Sequence, residues 1–419
     1  MDYHCQSIDR EVFTTMFAVG IDVSSRKSTV AVLSSQTNIV IKPFDIPHTP
    51  DGLNRLVDKL NSLNGEIKIV MEHTGRYYEA VAMSLHHLGF FVSAVNPLLI
   101  RDYNENTLRK VKTDNADAVK IARYTLSNWE TLRQYTPEEE IRYLLKTMNT
   151  QYQLASKTLT AHTNNLIALM EQTYPGVKSL FSSPARSDGS QKWMDYACTF
   201  WHVDCVCSLT EATFTERYRK WCKRNHYNFS TSTALELYAD AKTRIAVVPR
   251  NEISHQMIKE TIALVKTISG TVESFRAKMT ELASQLPEYH EVMAMYGAGK
   301  STGPQLIAEI GDIRRFANKN ALVAFGGLDP GRNDSGDKNS RSVRTSKRGS
   351  SSLRKTLFVI MTVLLQNQPE EDPVYQFLDR KRAEGKLYHV YMTAGSAKFL
   401  RVYYGKVRDA LMEQGLWDT

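Results

Sequence analysis

The chain has 419 residues, 42% of them apolar and 23% charged, which is the composition of a folded protein of two or three domains and not of a disordered or fibrous one. No apolar run approaches the eighteen or so residues of a membrane span, residues 1–15 carry acids in place of a signal-peptide core, and five cysteines make no disulfide framework, so a reducing, cytoplasmic setting is expected. The formal net charge of +8 suits a polyanionic partner, with Arg109, Lys110 and Lys112 crowded into one loop.

In chain order, MFAVGIDV (16–23) alternates like a strand, with Phe17, Val19 and Ile21 on one face. STVAVLS (28–34) and NIVIKPF (38–44) follow after short turns, which predicts a three-strand meander. Helical spacing over 49–63, a buried strand at 67–72, a helix over 77–89, a strand at 90–97 and a helix over 114–126 complete a βββαβαβα order, a mixed α/β sheet. Residues 138–170 then step by fours and threes through Ile141, Leu145, Met148, Tyr152, Ala155, Leu159, His162, Leu166 and Leu169. A second such run links Val265, Ile268, Val272, Phe275, Met279, Leu282 and Leu286, so the two read as an antiparallel coiled coil or a dimer seam. Between them, 175–250 is rich in aromatics and cysteine without a clear period. Residues 292–365 and the tail beyond 370 read as mainly helical.

Four groups of residues could carry chemistry. Asp22 and Glu72 end two strands, and Asp114 and Asp117 share one helix face at i, i+3. Clustered carboxylates repel unless a cation sits among them, and Mg²⁺ or Mn²⁺ takes such hard oxygen ligands, where it can activate a nucleophile and stabilise a leaving oxygen; the bland alternative is unrelated surface acids and helix caps. GAGKST (297–302) looks like part of a P-loop, but position 294 is Ala and the context reads helix–turn–helix, so Lys300 is a DNA-backbone candidate and not an ATP ligand. Cys198, His202, Cys205, Cys207 and Cys222 lack two compact pairs and are read as buried free thiols in preference to a zinc site. The stretch 331–355 holds seven serines and eight Lys or Arg. Ser335 precedes a glycine in a tight turn, Lys347, Arg348 and Arg354 could contact phosphates, and Ser350–Ser352 suit a helix entry; a flexible linker is the alternative.

Taken together, these blocks resemble the DEDD transposases of bacterial insertion sequences, relatives of the Piv and MooV DNA invertases. The resemblance lies in VGIDVSS (19–25), 70–97, KTDNADAVKIAR (112–123), 295–330, the Ser335–Gly336 pair and TSKRGSSSLRKTL (345–357). It implies a RuvC-like ribonuclease H domain over 1–135, coiled-coil helices over 136–287 with an inserted segment at about 175–250, and a helical transposase domain over 288–419. The tetrad that binds Mg²⁺ (or Mn²⁺) falls on Asp22, Glu72, Asp114 and Asp117, and the serine that forms a transient phosphoserine link falls on Ser335. Ser340 and Ser346 remain alternatives, because Asp334 and Asp337 flank Ser335 where the family carries neutral residues. The implied partners are donor and target DNA, a structured bridge RNA and further copies of the chain in a dimer or tetramer, with no membrane and a nucleoid-associated location. A metal-dependent nuclease or Holliday-junction resolvase is the enzymatic alternative, and a non-catalytic nucleic-acid-binding protein the other. The inserted segment and the tail keep open roles, in RNA contact or subunit contact.

Overall fold

The computed structural model describes residues 15–73, 75–103, 113–135, 139–184, 186, 190–329, 334–335, 338–339, 345 and 347–417. The chain divides into two compact units, Met1–Glu138 and Glu139–Thr419. No helix among the described residues is long and apolar enough to cross a membrane.

The first unit is a five-stranded sheet with helices on both faces. Its strands are β1 (Met16–Val23), β2 (Lys27–Leu33), β3 (Ile39–Pro47), β4 (Glu66–Glu72) and β5 (Phe91–Val95), in the order β3-β2-β1-β4-β5. β1, β2 and β3 form the expected antiparallel meander, while β1, β4 and β5 run parallel. β3 contains Pro43, which an edge strand tolerates because one side of its backbone has no ladder to fill. Parallel neighbours require crossovers, supplied by α1 (Pro50–Asn61) and α2 (Tyr77–His87); α3 (Pro97–Asp102) and α4 (Asp114–Ser127) follow β5.

Side-chain alternation sorts the two faces of β1. Phe17, Val19 and Ile21 pack with Leu56 and Leu60 of α1 and with Val81 and Leu85 of α2. Ala18 and Gly20 therefore face the opposite layer, where Ala118 and Ala122 of α4 pack on Ala31 and Leu33. Small residues on both sides bring α4 close to the sheet. A Cβ on Gly20 would stand 2.1 Å from the Ala118 carbonyl oxygen and 2.3 Å from the Ala122 nitrogen, so only glycine permits this approach.

The second unit is mainly helical. It contains α5 (Glu140–Thr173), α6 (Lys192–Thr199), α7 (Asp204–Cys207), α8 (Glu211–Arg224), α9 (Thr231–Thr243), α10 (Glu252–Ala283), α11 (Tyr289–Met293), α12 (Thr302–Ile310) and α13 (Lys319–Phe325). A hairpin of β6 (Asp334–Ser335) and β7 (Lys338–Asn339) precedes α14 (Ser351–Asn367), α15 (Pro373–Ala383) and α16 (Tyr388–Glu413).

α5 and α10 pack along each other, and their ends belong to two separate cores. Leu145 near the start of α5 joins Met279 and Ala283 at the end of α10 in a core with α12–α16. Leu166 and Met170 near the end of α5 join Ile258, Ile262 and Val265 of α10 in an aromatic core built by 174–241. This pairing of opposite ends makes the two helices antiparallel. Leu145 and Leu166 are separated by about 30 Å of helix, so the pair links two hydrophobic cores at its ends. The segment 175–250, which has no sequence period, folds as short helices whose aromatics face one another. Tyr218 stacks on Trp221 at 5.6 Å and Trp221 on Tyr227 at 5.3 Å.

Candidate active site

In the first unit the sheet itself brings Asp22 and Glu72 together. β1 and β4 are parallel neighbours with Ile21 opposite Met71, so the next residues, Asp22 and Glu72, emerge side by side at the same end. Asp22 lies two residues after Gly20, and Glu72 two after Val70, which packs on Ile121 and Tyr124 of α4. Both acids consequently point to the α4 face, and both are half-buried.

α4 supplies the other pair. Thr113 caps it, its hydroxyl accepting from Ala116 N at 3.3 Å, and Asp114 and Asp117 lie in the first turn, where the helix dipole also favours acids. Asp117 is half-buried, one residue before the Ala118 that lies over Gly20. Burial together with the charges of Asp22 and Asp117 pushes the Glu72 carboxyl above its ordinary range, and Lys120 opposes them. Asp22 and Asp117 thus both act on Glu72. Asp114 is exposed, and its carboxylate faces Lys27 Nζ at 3.9 Å; Lys27 is bound more closely to Asp45, at 2.7 Å. Asp45 also accepts from the Thr29 hydroxyl at 2.7 Å.

Among the described residues no three His, Cys, Asp or Glu side chains already converge closely enough to hold an ion. The donors are nonetheless all carboxylates, hard oxygen ligands suited to Mg²⁺ or Mn²⁺. Burial first, and then the like charges of Asp22 and Asp117, disfavour the Glu72 carboxylate, and a divalent cation offsets both, so the residues present fit such an ion. Sequence reasoning missed Lys27, Asp45, Lys120 and Gly20. Only two had a signal: a lone glycine inside a strand marks close backbone approach, and Lys120 stands at i+3 from Asp117.

In the second unit the Ser335 backbone lies in β6, with Ser335 opposite Lys338 and Asp334 opposite Asn339. The Ser335 side chain lies outside the described residues, as do Arg109, Lys110 and Lys112 entirely. The described residues on either side of 330–344 are joined to each other. Ser350 N donates to Phe325 O, Lys347 N donates to Gly327 O, and Arg354 Nη1 donates to the carbonyls of Gly326 at 3.1 Å and Gly349 at 2.9 Å. Arg354 thus has an internal task beyond the phosphate contact expected of it. Lys347 and Arg354 line one cleft of about 560 Å³, together with Lys355 and His389, which the sequence did not single out. Arg348 is exposed. The hydroxyl of Ser350 caps α14, accepting from Leu353 N at 3.1 Å, and donates to Glu309 at 2.9 Å.

Lys300 is exposed in the turn between α11 and α12, a helix–turn–helix context. Gly299 N donates to the Thr302 hydroxyl at 3.0 Å, and that hydroxyl donates to Gly297 O at 2.8 Å, so the turn is closed by its own threonine. Of the thiols, Cys222 is buried, Cys205 and Cys207 are partly so, and Cys198 is exposed, so the expectation of buried thiols holds fully only at Cys222.

Comparison with known proteins gives a family to this arrangement. A DEDD transposase family of the IS110 type, described as a transposase, matches residues 19–175. The transposase IS116/IS110/IS902 family matches residues 289–376. Two pilin gene-inverting proteins, from Moraxella lacunata and Moraxella bovis, are each 23% identical over 82% of this chain and 80% of their own. A solved structure, T. thermophilus RuvC in complex with Holliday junction substrate, aligns with 29% of this chain and 99% of its own at 14% identity and a TM-score of 0.23. The two family matches together span more than half of the chain: it belongs to the IS116/IS110/IS902 family of DEDD transposases and is a DNA transposase and recombinase enzyme.

Proposed function

We propose that this transposase cuts and rejoins DNA strands with Asp22, Glu72, Asp114 and Asp117 as its metal-binding acids and Ser335 as its nucleophile. The observation that carries the proposal is geometric: parallel pairing sets Asp22 and Glu72 side by side at one end of the sheet, on the face covered by α4, whose first turn carries Asp114 and Asp117. The strand order, an antiparallel meander followed by two parallel strands, supports a ribonuclease H reading of the first unit. Bound Mg²⁺ or Mn²⁺ would supply Lewis-acid stabilisation of charge on the scissile phosphate. The Ser335 oxygen attacks phosphorus and gives up its proton, and the bond to one deoxyribose oxygen breaks. That oxygen leaves as a hydroxyl, and reversal on a new strand rejoins the DNA. Lys347 and Lys355, at the cleft on the α14 start, would hold phosphates of the bound strand.

The partners in this proposal are donor and target DNA, a structured guide RNA that reads sequence by base pairing, and further copies of the chain in a dimer or tetramer. The antiparallel α5–α10 pair, with Leu154 and Leu264 exposed along it, is the element offered for that assembly as a coiled coil.

The test is adduct trapping on a plasmid that carries the element's joined ends. A covalent protein–DNA species is expected with the wild type, lost in Ser335→Ala and Asp22→Asn, and retained in Ser340→Ala and Ser346→Ala. Free DNA ends with no adduct would instead assign hydrolysis to the acidic cluster. Sequencing the RNA that copurifies with the protein tests the guide.

A further inference from the structure

The aromatic module at the far end of the α5–α10 pair takes Leu166, Met170 and Tyr174 from the first family-matched stretch, but its helices α6–α9 lie between the two matched stretches and in neither. Its helix α8 has a sharply divided surface. Phe214, Tyr218, Trp221 and Cys222 are buried at i, i+4, i+7 and i+8, which fixes the helix face that looks inward. The outward surface carries Arg217, Arg219, Lys220, Lys223 and Arg224, all exposed. Only Arg219 has a carboxylate within ion-pair reach among the described residues, Glu216 at 3.8 Å.

A solvated face commonly mixes both signs, and cations that only complement the helix dipole sit in the last turn. Lys223 and Arg224 fit that explanation, but Lys220 stands about one turn and Arg217 about two turns earlier. From residue 175 to residue 250 the sequence holds eleven Lys or Arg against seven Asp or Glu. Arg217, Lys220 and Arg224 recur at i, i+3 and i+7, one row about 10 Å long on a rigid helix. Such a row matches consecutive backbone phosphates on one strand, and it comes from a helix whose orientation is set by its buried aromatic side.

We propose that the outward face of α8 is a docking surface for the phosphate backbone of duplex DNA, with Arg217, Lys220 and Arg224 as its contacts. Charge complementarity identifies a polyanion, and the family assignment makes DNA the polyanion this chain handles. The proposal rests on that assignment and not on the serine mechanism. The surface adds sequence-independent affinity outside the acidic cluster and the α14 cleft, which lengthens the protein's grip on the duplex.

The test uses the full chain and a 40-base-pair DNA duplex without divalent metal, with affinity followed from 50 to 300 mM salt. Arg217→Gln/Lys220→Gln/Arg224→Gln is expected to lower the slope of log affinity against log salt by about 2–3 and to weaken binding at 150 mM by up to about 100-fold. Arg217→Lys/Arg224→Lys keeps the slope. A control, Arg55→Gln/Lys59→Gln, removes exposed cations from α1, on the opposite sheet face from Asp22 and Glu72, and is expected to leave the slope unchanged. The altered side chains are all exposed, and an unchanged far-ultraviolet spectrum and melting temperature accompany the expected result. A slope equal to wild type, a loss matched by the α1 control, or a loss on an RNA duplex but not on DNA overturns the proposal. A reduced slope in the triple variant supports it whether or not an adduct forms, and absence of a Ser335-dependent adduct in the wild-type protein counts against the serine mechanism alone.

Discussion

Arg142 and Glu288 join the start of α5 to the segment just before the second matched stretch. Each side chain is 3% exposed. The guanidinium donates twice to the carboxylate, Nη1 to Oε1 and Nη2 to Oε2 at 3.0 Å. Glu288→Gln keeps the shape and removes the charge, leaving a buried guanidinium whose remaining carboxylate is Glu139, 3.3 Å from Nε and largely exposed. Breaking a buried pair from one side costs about 3–5 kcal/mol, because the surviving charge stays desolvated. Glu139 moves the expectation to the lower end, about 3 kcal/mol. At about 2–4 °C per kcal/mol for a unit of this size, the melting temperature falls by about 6–12 °C. Calorimetry supplies the melting temperature, and hydrogen exchange of the amides around Arg142 locates the loss. In Arg142→Met/Glu288→Leu the buried charge is absent altogether, so the double variant melts within about 1 kcal/mol of wild type. A loss below about 0.5 kcal/mol for Glu288→Gln, or additive single losses in the cycle, would refute the desolvation argument.

Gly20→Ala is expected to cost about 1–3 kcal/mol by pushing α4 off β1, and to reduce strand cleavage because Asp117 moves with the helix; wild-type melting and activity would contradict it. Arg354→Met, which removes the hydrogen bonds to the Gly326 and Gly349 carbonyls, should lower the melting temperature by the equivalent of about 1–3 kcal/mol, while exposed Arg348→Met changes it little; equal effects in the two variants would argue against the internal role of Arg354. Burial alone would raise the Asp312 carboxyl, but hydrogen bonds from the Arg314 side chain and backbone hold it below its ordinary value. A depressed carboxyl contributes stability that is present above the unfolded value, near pH 4, and lost as pH falls through the folded one. Asp312→Asn should therefore remove about 0.5–1 kcal/mol at pH 6 and little at pH 3, and a difference independent of pH in melting curves would count against the pair.

How the site assembles was only partly readable beforehand. The acids stood out because two end strands and two share a helix face, and all of these are spacings along the chain. The closeness of Asp117 to Glu72 depends on α4 lying flat on β1. That in turn depends on Gly20 meeting Ala118 and Ala122, residues about a hundred positions away. Arg354 read as a phosphate contact since it stands among cations, yet its guanidinium reaches the carbonyls of Gly326 and Gly349, one of them 28 residues earlier. The heptad steps of the two long helices left a pair within the chain and a dimer seam both open, and gave no sign that their opposite ends belong to different cores.

By itself the sequence determined what depends on local periodicity and residue chemistry: the strand meander, the long helices, four carboxylates at strand ends and on one helix face, and the cationic stretches. Period two and period 3.6 are properties of the backbone, so they are legible wherever one face is apolar. The tertiary structure decided which charges meet. Parallel pairing set Asp22 beside Glu72, the Gly20 contact brought in Asp117, and aromatic packing turned α8 so that its cations face outward. These are choices among partners distant in the chain, settled by which surfaces exclude water together, and no local pattern encodes them.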